Sequence, residues 1–213
     1  MFRWQACPQI RIIEHPLLQT KLTILRDRET PTTVFRETLR QMGALMLFVV
    51  SRDFETESCA VHTPIEATQG MRLRRPVVLV PILRAGLGLI DGMLDLLPGA
   101  LVGHIGMSRN EETLVPHRYY GKVPKAIDEA EVLILDPMLA TGNSAVAAID
   151  EVKRMGAKRI RFVCLLSSPE GLERLHRVHA DVPIFTVAVD RMLNDQGFIM
   201  PGLGDAGDRY FGT

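Results

Sequence analysis

Asp136 closes a run of four apolar residues, Val132 to Leu135, and the turn Ala140-Thr141-Gly142-Asn143-Ser144 follows it closely. Beyond the turn, Val146, Ile149, Val152 and Met155 recur at helical spacing. A buried strand ending in a carboxylate, a tight loop and a helix are therefore expected in that order. The first N–H groups of such a helix have no partner within it and carry the positive end of its dipole, so they can hold a phosphate without side-chain charge. Thr141 and Ser144 add hydroxyl donors. A carboxylate at the strand tip is placed to accept hydrogen bonds from sugar hydroxyls beside that phosphate, because open α/β sheets bind ligands beyond the carboxyl ends of their strands. The arrangement reads as a ribose-phosphate cradle.

A second unit repeats the order. Pro76 to Leu83, PVVLVPIL, is a buried strand, and it runs at once into Arg84-Ala85-Gly86-Leu87-Gly88 and a helix through Leu96. Gly86 and Gly88 permit close backbone approach, and Arg84 sits in the turn itself, where a guanidinium fork suits a diphosphate. Leu101 to Met107 is a third short strand. Ser108 to Pro124 follows, charged, proline-bounded and without helical period, and reads as a projecting hairpin or loop of the kind that forms lids. Arg109 at its root is a second candidate cation, whereas His117, Arg118 and Lys122 read as solvated loop charges. The last 24 residues, Asp190 to Thr213, contain five glycines and one proline, yet also Phe198, Ile199, Met200, Leu203, Tyr210 and Phe211. That apolar content argues against disorder and for an ordered irregular hood. Backbone of this kind presents N–H and C=O groups to a ligand, and a flat nucleobase fits.

Other segments must position these groups. Arg159 to Leu166 and Ile184 to Val189 read as further buried strands, with Ser168-Pro169 opening a helix over Gly171 to His179 between them. Gly156 ends the helix after the ribose-phosphate turn. Near the N-terminus, Ile10 to Ile13 is a short extended piece and the chain after Pro16 is irregular. Thr32 to Asp53 is a long amphipathic helix begun by Thr30-Pro31, and Glu55 to Thr68 is polar and β-tolerant, ending in a Gln69-Gly70 turn. Strands alternating with helices imply right-handed crossovers. The expected fold is α/β: a parallel-sheet core flanked by helices, a C-terminal irregular hood and a projecting loop or β-arm. It forms one domain, with a helical and extended part over 1–75, the core over 76–189 and the hood over 190–213.

Composition narrows the function classes. The 213 residues are 46% hydrophobic, with 25 Lys plus Arg against 25 Asp plus Glu, so no general basic field points to nucleic acid or an anionic membrane. Cys7, Cys59 and Cys164 are too scattered for a disulfide framework or a zinc site, and a reducing, cytoplasmic setting is expected. No apolar run is long enough to span a bilayer. His176 and His179 stand three apart with no third ligand near in sequence, and read as surface residues.

The stretches PILRAG, DPMLATGNSA and the tail resemble one family. A hydrophobic run, an Asp and a Thr-Gly-rich loop form the phosphoribosyl diphosphate (PRPP) signature of type I phosphoribosyltransferases, and DPMLATGNSA is similar to the version found in uracil phosphoribosyltransferases. The tail is similar to that family's LN-x-x-G-F/Y-I-x-PGLGDAGDR-x-FGT signature nearly residue for residue. There are departures: Asp136-Pro137 where the wider fold carries two acidic residues, Phe198 where Tyr is common and Asn143 where a second Gly is common.

The resemblance implies transfer of ribose 5-phosphate from PRPP to uracil, in pyrimidine salvage. It implies that Arg84, Arg109 and Asp205 serve catalysis. PRPP would be bound by Arg84, Arg109, Asp136, Pro137, Met138, Leu139, Ala140, Thr141, Gly142, Asn143, Ser144 and Asp205, and uracil by Ile199, Gly204, Asp205 and Ala206. Mg²⁺ is expected through PRPP oxygens and not in a protein cage. A homodimer or homotetramer and activation by GTP are expected on the same ground. Two alternatives stand beside this reading: a phosphoribosyltransferase for another base, and a PRPP- or nucleotide-sensing regulator on the same fold.

Overall fold

Continuous apolar runs form the central strands because both of their faces are covered. In the computed structural model, which describes residues 3–109 and 116–213, three such runs lie side by side: β4 (Val77–Leu83), β8 (Glu131–Leu135) and β10 (Arg159–Ser167). The short strand β1 (Ile10–Ile12) and β11 (Ile184–Val189) extend the sheet at one edge, and β6 (His104–Arg109) and β7 (Pro116–Lys122) at the other, in the order β1-β11-β10-β8-β4-β6-β7. Every pair along that path is parallel except β6–β7.

Alternate residues of each strand face opposite layers. Leu79, Leu133, Leu135 and Val163 pack with helices α1 (Pro16–Arg26), α2 (Thr32–Val50) and α3 (Ile90–Leu96), while Val78, Val80, Val132, Ile134 and Phe162 pack with α4 (Asn143–Arg154) and α5 (Pro169–Val178). The α2–α3 approach requires glycine. A Cβ at Gly92 would lie 1.6 Å from the Arg40 carbonyl oxygen, and one at Gly43 2.3 Å from that of Leu89. From β4 the chain passes to β6 on one side, and its later strands β8, β10 and β11 lie on the other. The crevice at the carboxyl ends of β4 and β8 is thus the point where strand order reverses, the usual ligand position in such sheets.

The observed fold is the expected α/β architecture, with differences in detail. The stretch after Pro16 is helix α1, not irregular: His15 Nδ1 accepts from the Leu17 N–H at 3.2 Å, Pro16 begins the helix, and Leu18, Leu22 and Leu25 are buried. The Gln69-Gly70 pair is not a turn. It lies inside β3 (Ala67–Leu73), which pairs with β2 (Thr56–His62), and the turn is at Thr63–Glu66, where Thr63 Oγ1 accepts from the N–H groups of Ile65 and Glu66. Leu101 to Met107 divides at Gly103 into β5 (Leu101–Val102) and β6. The tract after Met107 belongs to the antiparallel pair β6–β7, a β-arm; residues 110–115 lie outside the described residues. His179 is buried, not superficial: Lys153 donates to its Nδ1 at 3.2 Å. No cluster of metal-ligating side chains occurs among the described residues, and no described helix is long and apolar enough to cross a membrane.

Candidate active site

The ribose-phosphate turn has the expected build. β8 ends at Leu135, Asp136 follows, and the two-residue strand β9 (Met138–Leu139) carries the chain along β10 before Ala140 to Gly142 turn it into α4. Gly142 has φ +78°, open to glycine at little cost. No side chain caps α4, and the Thr141 hydroxyl oxygen accepts only distantly, at 3.4 Å, from the Asn143 N–H. The first-turn donors of α4 are therefore available to an anion.

What braces this loop was not visible in the local pattern. Ser168 Oγ donates to the Ala140 carbonyl at 2.6 Å and accepts from the Gly171 N–H at 2.9 Å, while the Ser168 N–H donates to the Leu139 carbonyl at 3.0 Å. A Cβ on Gly171 would stand 2.3 Å from the Ala140 oxygen and 2.5 Å from that of Leu139. The N-terminus of α5 is thus pressed against the back of the loop. The sequence marks Ser168 and Gly171 as helix-start residues, and nothing local reveals their second use.

Asp136 lies on the cleft floor, with the Met138 N–H donating to its Oδ1 at 3.2 Å. Burial pushes its carboxyl up to about 7. The Met138 hydrogen bond works against that rise, and the charge of Asp205 adds to it. Asp205 comes from the tail, where it caps helix α6 (Ala206–Phe211) by accepting from the Asp208 N–H at 2.8 Å. The tail is therefore more regular than the sequence suggests: α6 ends it, and a small antiparallel pair, β12 (Met192–Leu193) with β13 (Ile199–Met200), begins it.

A cavity of about 320 Å³ joins these parts. It is lined by Asp136, Met138, Leu139, Ala140, Thr141, Gly142 and Ser144 from the strand end and turn, and by Ile199, Gly204, Asp205 and Ala206 from the tail. Arg84 lines an adjoining hollow that shares Asp136, Ser144 and Asp205 with the main cavity. Its Nη2 donates to Asp208 Oδ1 at 2.9 Å, and its guanidinium lies 5.4 Å from the centre of the Phe211 ring. Two expected residues of the turn do not reach the wall of either space. Pro137 is buried, its carbonyl accepting from Leu165 and Leu166, and Asn143 begins α4 without lining the space. Arg109 ends β6, but its side chain lies outside the described residues, as do those of His117 and Arg118. Ala85, Ala145 and Gln196 line the cavity although their types gave no signal, and Gly197 and Gly207, counted among the tail glycines, line it without having been singled out. Apolar and glycine residues contribute here through backbone and shape.

Comparison with known proteins bears on this geometry. The family model described as Uracil phosphoribosyltransferase matches residues 12–213. The chain is 52% identical over 206 residues to a protein named uracil phosphoribosyltransferase from Streptococcus mutans, covering 96% of this chain and 99% of that one. It is 51% identical over 205 residues to one so named from Sinorhizobium fredii, covering 96% and 98%. Among solved structures, the AQ2163 protein from Aquifex aeolicus aligns with a TM-score of 0.91 at 39% identity, over 95% of this chain and 97% of that one. Adenine phosphoribosyl transferase from Trypanosoma brucei, solved with AMP, pyrophosphate and ribose-5-phosphate, aligns with a TM-score of 0.57 at 14% identity over 91% and 89% of the two chains, a likeness of fold alone.

Proposed function

The chain belongs to the uracil phosphoribosyltransferase family, and from that premise we propose how its cleft transfers ribose 5-phosphate from PRPP to N1 of uracil, giving UMP and diphosphate. The observation that carries the assignment of roles is one cavity lined together by the first turn of α4, a strand-end carboxylate and the glycine-rich tail.

The 5-phosphate is assigned to residues 139–144, with the first N–H groups of α4 and the hydroxyls of Thr141 and Ser144 as donors; Pro137 and Asn143 shape the loop from outside the cavity. Asp136 accepts from the ribose hydroxyls. Uracil lies against Ile199, Gly204, Asp205 and Ala206, read by main-chain groups. In the reaction the C1–O bond to diphosphate breaks with its electron pair leaving on oxygen, the C1–N1 bond forms, and the N1 proton is released. Positive charge gathers at C1 and negative charge on the leaving group, so preorganised cations at the diphosphate supply most of the acceleration. Arg84, in the adjoining hollow, serves that purpose together with Asp205, which lines the same hollow, and the family resemblance supplies Arg109 as the second cation. The oxygen donors of Asp136 and Asp205 on one cavity fit Mg²⁺, which favours hard oxygen ligands, substrate phosphates and water. Mg²⁺ bound through PRPP would add positive charge to the leaving diphosphate.

The three cysteines, all free, support a reducing compartment and hence the cytoplasm. Assembly into a homodimer or homotetramer is supported by apolar side chains left on the surface: Phe48 is 77% exposed, and Ile65 and Met71 on the β2–β3 hairpin are 90% and 65% exposed. GTP activation rests on the family resemblance alone, and initial rates with and without GTP test it. The test of the reaction itself is incubation of labelled uracil with PRPP in the presence of Mg²⁺ and then of a chelator. UMP and diphosphate are expected in equal amounts with Mg²⁺, and absence of UMP would remove the assignment.

A further inference from the structure

The hood is held from a part of the chain that no signature includes. Arg26, in the last turn of α1, donates through Nη1 to Asp190 Oδ2 at 2.7 Å and through Nη2 to Asp190 Oδ1 at 2.6 Å. The same Nη1 donates to the Gly202 carbonyl at 2.8 Å, and the Gly202 N–H donates to Asp190 Oδ2 at 2.8 Å. Asp190 is 8% exposed, so this is a closed ring of charge-assisted hydrogen bonds in a site largely removed from water. It fixes both polar groups of one tail residue. Gly202 has φ +63°, and a Cβ there would stand 2.2 Å from the Ile199 carbonyl oxygen, so the chain is folded back hard upon itself at this point. Ile199 and Gly204, which flank it, both line the cavity.

A second arginine repeats the device one step on. Arg209 Nη1 donates to the Leu203 carbonyl at 2.7 Å and also to that of Leu25, while its Nη2 reaches the Asp27 carbonyl. Its guanidinium stacks 4.5 Å from the centre of the Phe35 ring. The C-terminal end of α1 and the residue after it thus receive the tail on both sides of the turn that faces the base. None of these arginine or aspartate side chains lines the cavity.

We propose that the Arg26–Asp190 pair is a positioning device for base recognition: it sets the height of the Gly202 turn and hence the main-chain groups of Ile199 and Gly204 that meet uracil. The inference rests on the assignment of uracil to the hood given above. The hydrogen bonds of the ring go to Gly202 and not to the phosphate loop, so disturbing the pair is expected to weaken binding of the base more than that of PRPP. A replacement such as Arg26→Lys keeps the charge but cannot satisfy two carboxylate oxygens and a carbonyl together in the same plane.

The experiment compares wild type with Arg26→Lys and Asp190→Asn, measuring uracil KM, kcat and PRPP affinity by calorimetry on the same folded preparations. The expected result is a uracil KM raised by about tenfold, the scale of one lost charged hydrogen bond, with PRPP affinity unchanged within about twofold and kcat at saturating uracil largely kept. Arg26→Lys is expected to be milder than Arg26→Ala. An unchanged uracil KM in both variants, or equal weakening of uracil and PRPP, would overturn the proposal, the second outcome marking a merely structural pair. Thermal melting of each variant identifies one that does not fold, in which case Arg26→Lys decides. Failure of wild type to use uracil would instead remove the base assignment, while leaving the ring of hydrogen bonds to be tested against whichever base is used.

Discussion

Asp136 carries a conflict that its surroundings impose. Its carboxyl ordinarily ionises near 3.8, but in the fold burial raises it to about 7. The folded protein therefore binds more protons than the unfolded chain between those values, and stability falls as pH rises through that window. Below about pH 4 the penalty is absent, and above about pH 7 it is fully present. Each pH unit of the shift costs about 1.4 kcal/mol. Asp136→Asn removes the charge, so the variant is expected to melt higher than wild type at pH 8 and to lose that advantage at pH 4. The same change should weaken PRPP by about 1.5–3 kcal/mol, the range for a charged hydrogen bond. Calorimetry with PRPP and melting at the two pH values check both halves; equal PRPP affinity would deny Asp136 its ribose role. A further consequence is a limb near pH 7 in kcat/KM for PRPP that Asp136→Asn lacks. With Arg84 assigned to the leaving diphosphate under the proposed function, Arg84→Ala is expected to lower kcat more than it raises the uracil KM. An effect confined to uracil KM would place it elsewhere. Its pair with Asp208 is about half exposed on both sides and contributes little to stability, so its loss should hardly move the melting temperature.

Among the elements, the phosphate turn was legible in the sequence because everything that makes it is local: an apolar run, an acid, a glycine and a helical repeat within two dozen residues. The brace behind it was not. Ser168 and Gly171 meet Ala140 and Leu139 only once β10 and α5 are in place. Gly171→Ala is accordingly expected to destabilise the fold by about 1–3 kcal/mol, the usual cost of overpacking, and to weaken PRPP by displacing the loop, with denaturant unfolding and PRPP titration as the measurements. Unchanged PRPP affinity would show that the loop holds its shape without α5. Helix α1 was missed for a related reason. Its cap is a histidine, outside the usual Ser, Thr, Asp and Asn set, and its purpose, receiving the hood through Arg26, spans 164 residues of sequence. In the tail, glycine and proline content conceals the short helix α6, whose N-cap is Asp205.

Over the whole molecule, alternating strands and helices were sufficient to give a parallel sheet with ligand loops at one end, and the order β1-β11-β10-β8-β4-β6-β7 puts both phosphate-type turns at the reversal of strand order. Edge pairing was less legible, since β1 has only three residues and joins β11 from the other end of the chain. The exposed apolar residues of α2 and the β2–β3 hairpin lead to an expectation at this scale: Phe48→Glu should shift the assembly toward monomer in sedimentation, whereas an unchanged mass would place the subunit contact on another face. Under the proposed function the hood selects uracil and the turns hold PRPP. Uracil offers a donor at N3 and an acceptor at O4, whereas cytosine offers the reverse, so main-chain groups set for uracil leave two buried partners unpaired with cytosine. The most direct measurement is turnover of labelled PRPP against uracil, cytosine, orotate, adenine and hypoxanthine under one set of conditions. Nucleotide formation from uracil is expected, with cytosine slower by a factor on the order of 100 or more; faster use of any other base, or PRPP binding without turnover of any base, would contradict a uracil-selecting hood.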